Sequence, residues 1–307
     1  LKILVTGGAG FMGSHIVDAY LKEGHQVAVV DNLSRGKREN VAKEANFYPV
    51  NIRDQEKLDQ VFRAEKPEIL NHHAAQIDLR KSVDDPASDA ATNIIGSVNL
   101  FELALKYSLR KIIFASTGGA LYGEQEHFPA DEKHPLRPLS PYGIAKAAAE
   151  LYLFYYQAVQ SIESVILRYS NVYGPRQDPF GEAGVVAIFA EKLWHNTAPT
   201  INGPGDQTRD FVYVGDVVDA NILALKEGIN GAFNIATGKE SSVNQIYKAL
   251  AKVIGVEIDP VYGPAKKGEQ LRSVLDPALA KKVLGWEPNV DLKEGLKLTA
   301  EFFKPKA

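Results

Sequence analysis

Tyr142 and Lys146 stand four residues apart in Tyr142-Gly143-Ile144-Ala145-Lys146, just after Ser140-Pro141. Serine suits a helix N-cap and proline a first turn, so this stretch predicts a helix with both side chains on one face. A free phenol, with a pKa of about 10, is too weak an acid to serve as a base at neutral pH. An ammonium about 4 Å away is worth roughly 4 kcal/mol at an effective dielectric of 20. One pKa unit corresponds to about 1.36 kcal/mol, so about three units of lowering is the upper bound. The helix N-terminus acts in the same direction. The pair can therefore supply a base for a hydroxyl proton. Ser116 and Thr117 close the apolar run from Lys111. Their hydroxyls could bind an alkoxide or pass on its proton, and the sequence leaves both as candidates.

A site of this kind needs something to accept what remains after the proton leaves, and the N-terminus offers it. The strand Ile3-Leu4-Val5-Thr6 runs into Gly7-Gly8-Ala9-Gly10-Phe11-Met12-Gly13, followed by the helical pattern Ile16, Val17, Ala19, Tyr20, Leu21. Glycines between a strand and a helix allow a tight turn and close backbone approach to a pyrophosphate, which sits at the positive helix end. A second apolar strand, Gln26–Val30, ends at Asp31, 18 residues past Gly13. A carboxylate there binds ribose hydroxyls and repels a 2′-phosphate, which reads as NAD. Arg35, Lys37 and Arg38 follow closely and keep an NADP alternative in view.

Strands and helices alternate through the first half: a strand near 47–52, a helix near 55–64, a strand near 68–73, a helix near 87–107, the strand from Lys111, the Ser140 helix and a strand at 164–169. This predicts an α/β fold, a Rossmann-type doubly wound parallel sheet, with a smaller C-terminal α/β lobe. We expect an NAD-binding domain at 1–171 plus about 207–239, and a substrate lobe at 172–206 and 240–307. The second part should hold a helix near 215–226, a strand at 232–236, a helix opened by the capping box Ser242-Val243-Asn244-Gln245, and a strand at 272–276. The stretch Thr117–Leu139 reads as an unusually long loop at the end of a central strand, where ligands bind in such sheets.

Composition excludes several classes. The formal net charge is −3 and there is no cysteine, so disulfides, thiolate metal ligands and a cysteine nucleophile are ruled out. Nothing suggests a nucleic-acid or membrane partner, and the chain reads as cytoplasmic. His72-His73 are adjacent strand residues pointing to opposite faces, so no metal is expected.

Several stretches together resemble one family. They are Thr6–Gly13, Asp31-Asn32-Leu33, Ser116-Thr117, the Tyr142/Lys146 pair, Arg168-Tyr169-Ser170-Asn171-Val172-Tyr173-Gly174-Pro175, Arg209–Val214 with Asp216, and Leu284-Gly285-Trp286. They are similar to the extended short-chain dehydrogenase/reductases, and within them to UDP-glucose 4-epimerases and related nucleotide-sugar enzymes. The resemblance spans essentially the whole chain. It implies that Gly7, Gly10, Phe11, Met12 and Gly13 form the pyrophosphate loop, and that Asp31 and Asn32 meet the adenosine ribose. Asn51 and Ile52 would lie beside the adenine, with Asn51 standing where the family usually has Asp. Ala74, Ala75, Asn93 and Tyr169 would line the cofactor groove with Tyr142 and Lys146. Thr117 aligns with the catalytic Ser/Thr, although Gly118-Gly119 lengthens that turn by one residue and keeps Ser116 in view. Asn171 and Arg209 resemble uridine-diphosphate contacts. The family's later Arg-x-Gly-acid stretch is here Lys266-Lys267-Gly268-Glu269, with Arg272 beyond, so Lys266 and Arg272 both remain candidates for the diphosphate.

The implied reaction removes a sugar hydroxyl proton and a hydride, gives a transient 4-keto sugar, and returns the hydride to the other face, interconverting UDP-glucose and UDP-galactose. Alternatives are a dTDP-sugar 4,6-dehydratase, a UDP-glucuronate epimerase or decarboxylase, and a non-catalytic NAD-binding sensor. Dehydratases typically carry Asp-Glu after the catalytic Thr and decarboxylases a Glu in that turn; here it is Gly118-Gly119. Sensors typically lose the Tyr/Lys pair, which is present. In the resembling epimerases a position seven residues past the arginine of the Arg-x-Gly-acid stretch lines the hexose pocket; counted from Lys266 the resemblance implies Ser273 there, where a serine in place of a tyrosine would leave room for a 2-acetamido group, while a one-residue slip would put Arg272 or Val274 there instead. Helices at 90–107 and 142–160 are apolar on more than one face, which predicts a homodimer.

Overall fold

The computed structural model describes residues 1–180, 184–266 and 270–305. Seven strands form one parallel sheet. In space they run Gly231–Ile235, Glu163–Tyr169, Lys111–Thr117, Ile69–His72, Lys2–Thr6, Gln26–Val30 and Asn46–Tyr48. The central strands are near-continuous apolar runs because helices cover both faces. Side chains alternate between two cores: Ile3, Val5, Ile113 and Val165 on one face, Leu4, Leu70, Ile112 and Phe114 on the other. The chain begins mid-sheet, builds outward to Asn46–Tyr48, then returns to build the other side. The reversal falls between Lys2–Thr6 and Ile69–His72, and it is beyond the carboxyl ends of the strands at such a reversal that sheets of this kind form their ligand crevice.

Several boundaries differ from expectation. The strand near 47–52 stops at Tyr48, because Pro49 has no N–H for the ladder. The helix near 87–107 starts at Pro86, capped by Asp85, and widens to a π-helix over Ala91–Ile95 before continuing as Gly96–Lys106. The long loop is not structureless: Thr117 accepts a hydrogen bond from the Ala120 N–H and opens a short helix, Gly118–Leu121. Ser140 caps Pro141–Gln160 through the Gly143 N–H, and Ser242 and Gln245 form the capping box of Val243–Ile254. The strand expected at 272–276 is only Arg272–Ser273, after which Leu275 bridges to Ala130.

A smaller sheet centres on Thr208–Tyr213. It pairs antiparallel with Glu240–Ser242 and parallel with Arg272–Ser273 and Asn171–Tyr173. Helices Val185–Trp194, Val243–Ile254 and Leu292–Phe303 cover it around Phe189, Phe211, Leu250 and Leu296. The strand Thr208–Tyr213 fell by sequence in the 207–239 part of the cofactor domain. Here it serves both lobes: Phe211 enters the smaller core and Val212 the large one. Trp286, from the 240–307 stretch, is likewise buried in the large core and donates to the Asp216 carbonyl.

Candidate active site

The crevice is walled first by missing side chains. Gly7 has φ +73°, and a Cβ on it would lie 2.6 Å from the Ala74 nitrogen. A Cβ on Gly13 would lie 2.2 Å from the Gly7 carbonyl oxygen. Gly10 begins the helix Phe11–Lys22 with no side-chain cap, so the first-turn N–H groups face the crevice rather than a side-chain acceptor. Phe11 stands edge-on to His15 and Met12 packs against the large core, which holds this turn in place. Such a cradle fits a pyrophosphate.

At the next strand end Asp31 is 8% exposed. Its oxygens accept from the Ala9 N–H at 3.1 Å and the Leu33 N–H at 2.8 Å, which fixes the carboxylate against the glycine loop. Nearby cations are engaged elsewhere: Arg35 pairs with Asp78 at 3.1 Å, and Arg38 lies over the Phe47 ring and donates to Val41. Asn32 and Asn51 each close a turn, accepting from the Ser34 and Arg53 N–H groups, on the exposed rim. Ile52 is buried against Gly96. Ala74 and Ala75 follow the strand Ile69–His72, with the Ala74 N–H donating to Thr6 Oγ1.

Two groove candidates turn out to be already occupied. Asn93 is 2% exposed; its amide donates to the Gln76 carbonyl and to Asp89, and accepts from the Gln76 N–H. It holds the loop after Ala75 rather than presenting a free amide. The Tyr169 hydroxyl accepts from Asn221 at 2.9 Å and meets His73 Nε2 at 3.1 Å, with the two rings stacked. His72 lies on the opposite side, between Thr6 and Ser97. Burial and the Lys146 charge push His73 down to about 3, so it is neutral.

Gly143 brings the Tyr142 helix under the Gly118–Leu121 turn, where a Cβ on it would lie 2.6 Å from the Ala120 carbonyl oxygen. Lys146 is 4% exposed; it donates to the Ala115 carbonyl at 2.9 Å and lies over the Phe114 face, 6.0 Å from the Tyr142 ring centre. Here burial works against the lysine lowering of the phenol expected from the spacing. The ammonium is drawn to Ala115 and Phe114, while burial, followed by the Asp89 charge, raises the Tyr142 phenol above its ordinary value. Burial lowers Lys146 to about 8, against the pull of Glu150 and Asp89.

Ser116 and Thr117 separate as neighbours on a strand must. Ser116 donates to Glu150 at 2.5 Å, in a buried network where Arg168 grips Glu150 through Nε and Nη2 and donates to Tyr122 through Nη1. Thr117 is half-buried on the crevice side. A Cβ on Gly119 would lie 3.9 Å from Thr117 Oγ1 and 3.8 Å from Asn171 Oδ1, so the fold brings these two groups to one place. Arg209 and Ser273 are partners in the smaller sheet, and Ser273 is 3% exposed. Arg272 is tied bidentately to Glu240 and lies over Phe128. Lys266 is exposed; Lys267, Gly268 and Glu269 lie outside the described residues. Sequence reasoning passed over Asp89, Gln76 and Glu150. Glu150 could have been found, because Tyr142, Lys146 and Glu150 repeat every four residues on an otherwise apolar helix.

Residues 3–236 match the model of the NAD dependent epimerase/dehydratase family. The chain belongs to that family. A Methanocaldococcus jannaschii member, a putative UDP-glucose 4-epimerase, is 48% identical over 302 residues, covering 98% of each chain. The crystal structure of a Thermotoga maritima UDP-glucose 4-epimerase with UDP-glucose is 51% identical, with TM-score 0.97 over 99% of this chain and 98% of that one. The Thermus thermophilus UDP-glucose 4-epimerase complex with NAD is 45% identical, with TM-score 0.94 over the whole of both chains. As in other members of the epimerase/dehydratase family, the fold is a Rossmann-type parallel sheet and the cofactor is NAD.

Proposed function

We propose that this protein is a UDP-glucose 4-epimerase, interconverting UDP-glucose and UDP-galactose. What supports this reading is the Tyr142/Lys146 pair on one helix, with Thr117 at a neighbouring strand end and the glycine cradle beyond, in a chain so similar to such enzymes along its whole length. The dehydratase, decarboxylase and sensor readings are not favoured: the turn after Thr117 carries Gly118-Gly119, and the Tyr/Lys pair is intact.

In this reading Gly7, Gly10 and Gly13 admit the pyrophosphate of NAD and Asp31 takes its adenosine ribose, where its charge would repel a 2′-phosphate. When bound, NAD would supply the hydride acceptor and donor, and its positive ring would favour the ionised phenol. The rest of the work falls to side chains. Tyr142 takes the proton of the sugar 4-hydroxyl and returns it to the alkoxide of the other epimer. Thr117 donates to the sugar oxygen and keeps it beside the phenol. Asn171 and Arg209 hold the uridine diphosphate, so the sugar can turn over without leaving. Lys146 remains charged beneath the ring.

Two further parts of the reading concern assembly and location. Ile95, Ile144, Leu151, Phe154, Tyr155 and Val159 are exposed on neighbouring helices, while Leu153 and Tyr156 of the same turns are buried in the core. An apolar face of this size suits a two-fold partner, giving a homodimer. Light scattering at micromolar concentration should give twice the chain mass, falling to one chain mass in Phe154→Glu. A cysteine-free chain suits the cytoplasm; among the described residues no helix is long and apolar enough to cross a membrane. The function itself is tested by incubating the purified protein with a panel of UDP-sugars and separating the products. UDP-galactose should yield UDP-glucose, and failure with every 4-epimeric pair would remove the reading.

A further inference from the structure

Asp89 has no part in the reaction as derived, yet it is 1% exposed and lies on the helix Pro86–Ala90, which packs against the Tyr142 helix. One oxygen, Oδ1, accepts from Gln76 Nε2 and from Asn93 Nδ2, each at 3.0 Å. The other, Oδ2, is buried and has no hydrogen-bond partner. Buried carboxylate oxygens are rarely left this way, because desolvation is costly unless a charge or a donor compensates it. The π-turn at Ala91–Ile95 lies between this residue and the straight helix that follows, and such turns gather at functional sites.

The compensating charge stands across the helix contact. Lys146 donates to the Ala115 carbonyl and lies over the Phe114 face, which leaves its charge without a carboxylate at ion-pair distance among the described residues. Glu150, the carboxylate one turn further along, is already matched by Arg168 and Ser116. That leaves Asp89, with its unpartnered Oδ2, on a helix packed against the one that carries Lys146; burial pushes the Asp89 carboxyl up, and its hydrogen bonds to Gln76 and Asn93 and the Lys146 charge pull it back down. The other titratable groups facing Lys146 are Tyr142 on its own helix and His72 and His73 on the strand Ile69–His72, both histidines being neutral there through burial.

We propose that Asp89 is a positioning residue: its unpartnered oxygen is the counter-charge of Lys146, while its bonded oxygen fixes Gln76 and Asn93 and with them the groove wall after Ala75. The carboxylate field reaches both reacting partners, favouring the charged lysine and the neutral phenol. The site thereby rests with Lys146 protonated and Tyr142 uncharged. This deepens the epimerase reading, but its test does not depend on that reading.

The experiment is a pH titration of lysine ¹³Cε resonances in the intact protein, with Lys146→Met assigning the signal. Asp89→Asn keeps an acceptor for Gln76 and Asn93 but removes the charge. Lys146, already lowered to about 8, should then titrate about one unit lower, because an opposite charge has been taken away. Asp89→Glu should restore most of the shift. In UDP-galactose assays the alkaline fall of kcat should move to lower pH by the same amount in Asp89→Asn. A Lys146 midpoint unchanged in Asp89→Asn would overturn the proposal. So would a loss of bound nucleotide in Asp89→Asn with no change of midpoint, which would make Asp89 a purely structural anchor. Loss of UDP-sugar activity in the parent protein would sink the epimerase reading and leave this titration standing.

Discussion

The glycine cradle and the floor under Tyr142 lie at neighbouring strand ends and are built on opposite principles. At Gly7, Gly10 and Gly13 the working surface is backbone, and where Gly7 or Gly13 stands even one added carbon would strike main-chain atoms. Its carboxylate, Asp31, is satisfied by two backbone N–H groups. Beneath Tyr142 the working surface is charge: Lys146, Glu150, Arg168 and Asp89 are all nine-tenths buried or more, and one oxygen of Asp89 has no partner. The cradle is at rest in its own geometry. The floor carries ionised groups away from water, an arrangement kept where chemistry needs shifted proton affinities.

The contrast can be broken from either side. The largest effect belongs to Tyr142→Phe, which removes the proton acceptor and leaves the packing intact; kcat should fall by about 10²–10⁴-fold with an unchanged circular dichroism spectrum. Next is Glu150→Gln, which leaves the Arg168 guanidinium buried without its counter-charge. Denaturant unfolding should show a loss of about 3–5 kcal/mol, larger than a surface ion pair could give. On the cradle side, Gly13→Ala places a methyl group against the Gly7 carbonyl. It should cost about 1–3 kcal/mol of stability and lower the nucleotide carried through purification relative to the wild-type protein, measured by absorbance after denaturation. The smallest effect is expected at Ser273→Tyr, beside Arg209. It should narrow the hexose pocket and lower kcat/KM for UDP-N-acetylgalactosamine about tenfold more than for UDP-galactose. Equal losses on both sugars would remove the gate.

The same contrast explains what could be read in advance. Gly7–Gly13 and Asp31 announce themselves because strand, turn and helix are consecutive and each glycine answers a local demand. Tyr142 and Lys146 are legible for the same reason, being one turn apart on a helix with a Ser140-Pro141 start. Asp89 is not, because its partners Gln76 and Asn93 and its neighbour Lys146 meet only when two helices and a loop pack together. Ser116 and Thr117 were indistinguishable as adjacent hydroxyls. Strand alternation sends one to Glu150 and the other to the crevice, and that depends on which face the Tyr142 helix covers. Pro49 could have shortened its strand on paper, since proline cannot donate to a ladder.

Hydride return is read directly in the conversion of UDP-galactose in D₂O by the protein as purified, without added nucleotide, followed by NMR and mass spectrometry. Because the hydrogen taken from C4 is returned within a closed site, the account expects UDP-glucose with protium retained at C4. Deuterium at C4 would mean that the C–H bond is broken by proton exchange with solvent. That outcome, or an absence of conversion while nucleotide is bound, would contradict the account.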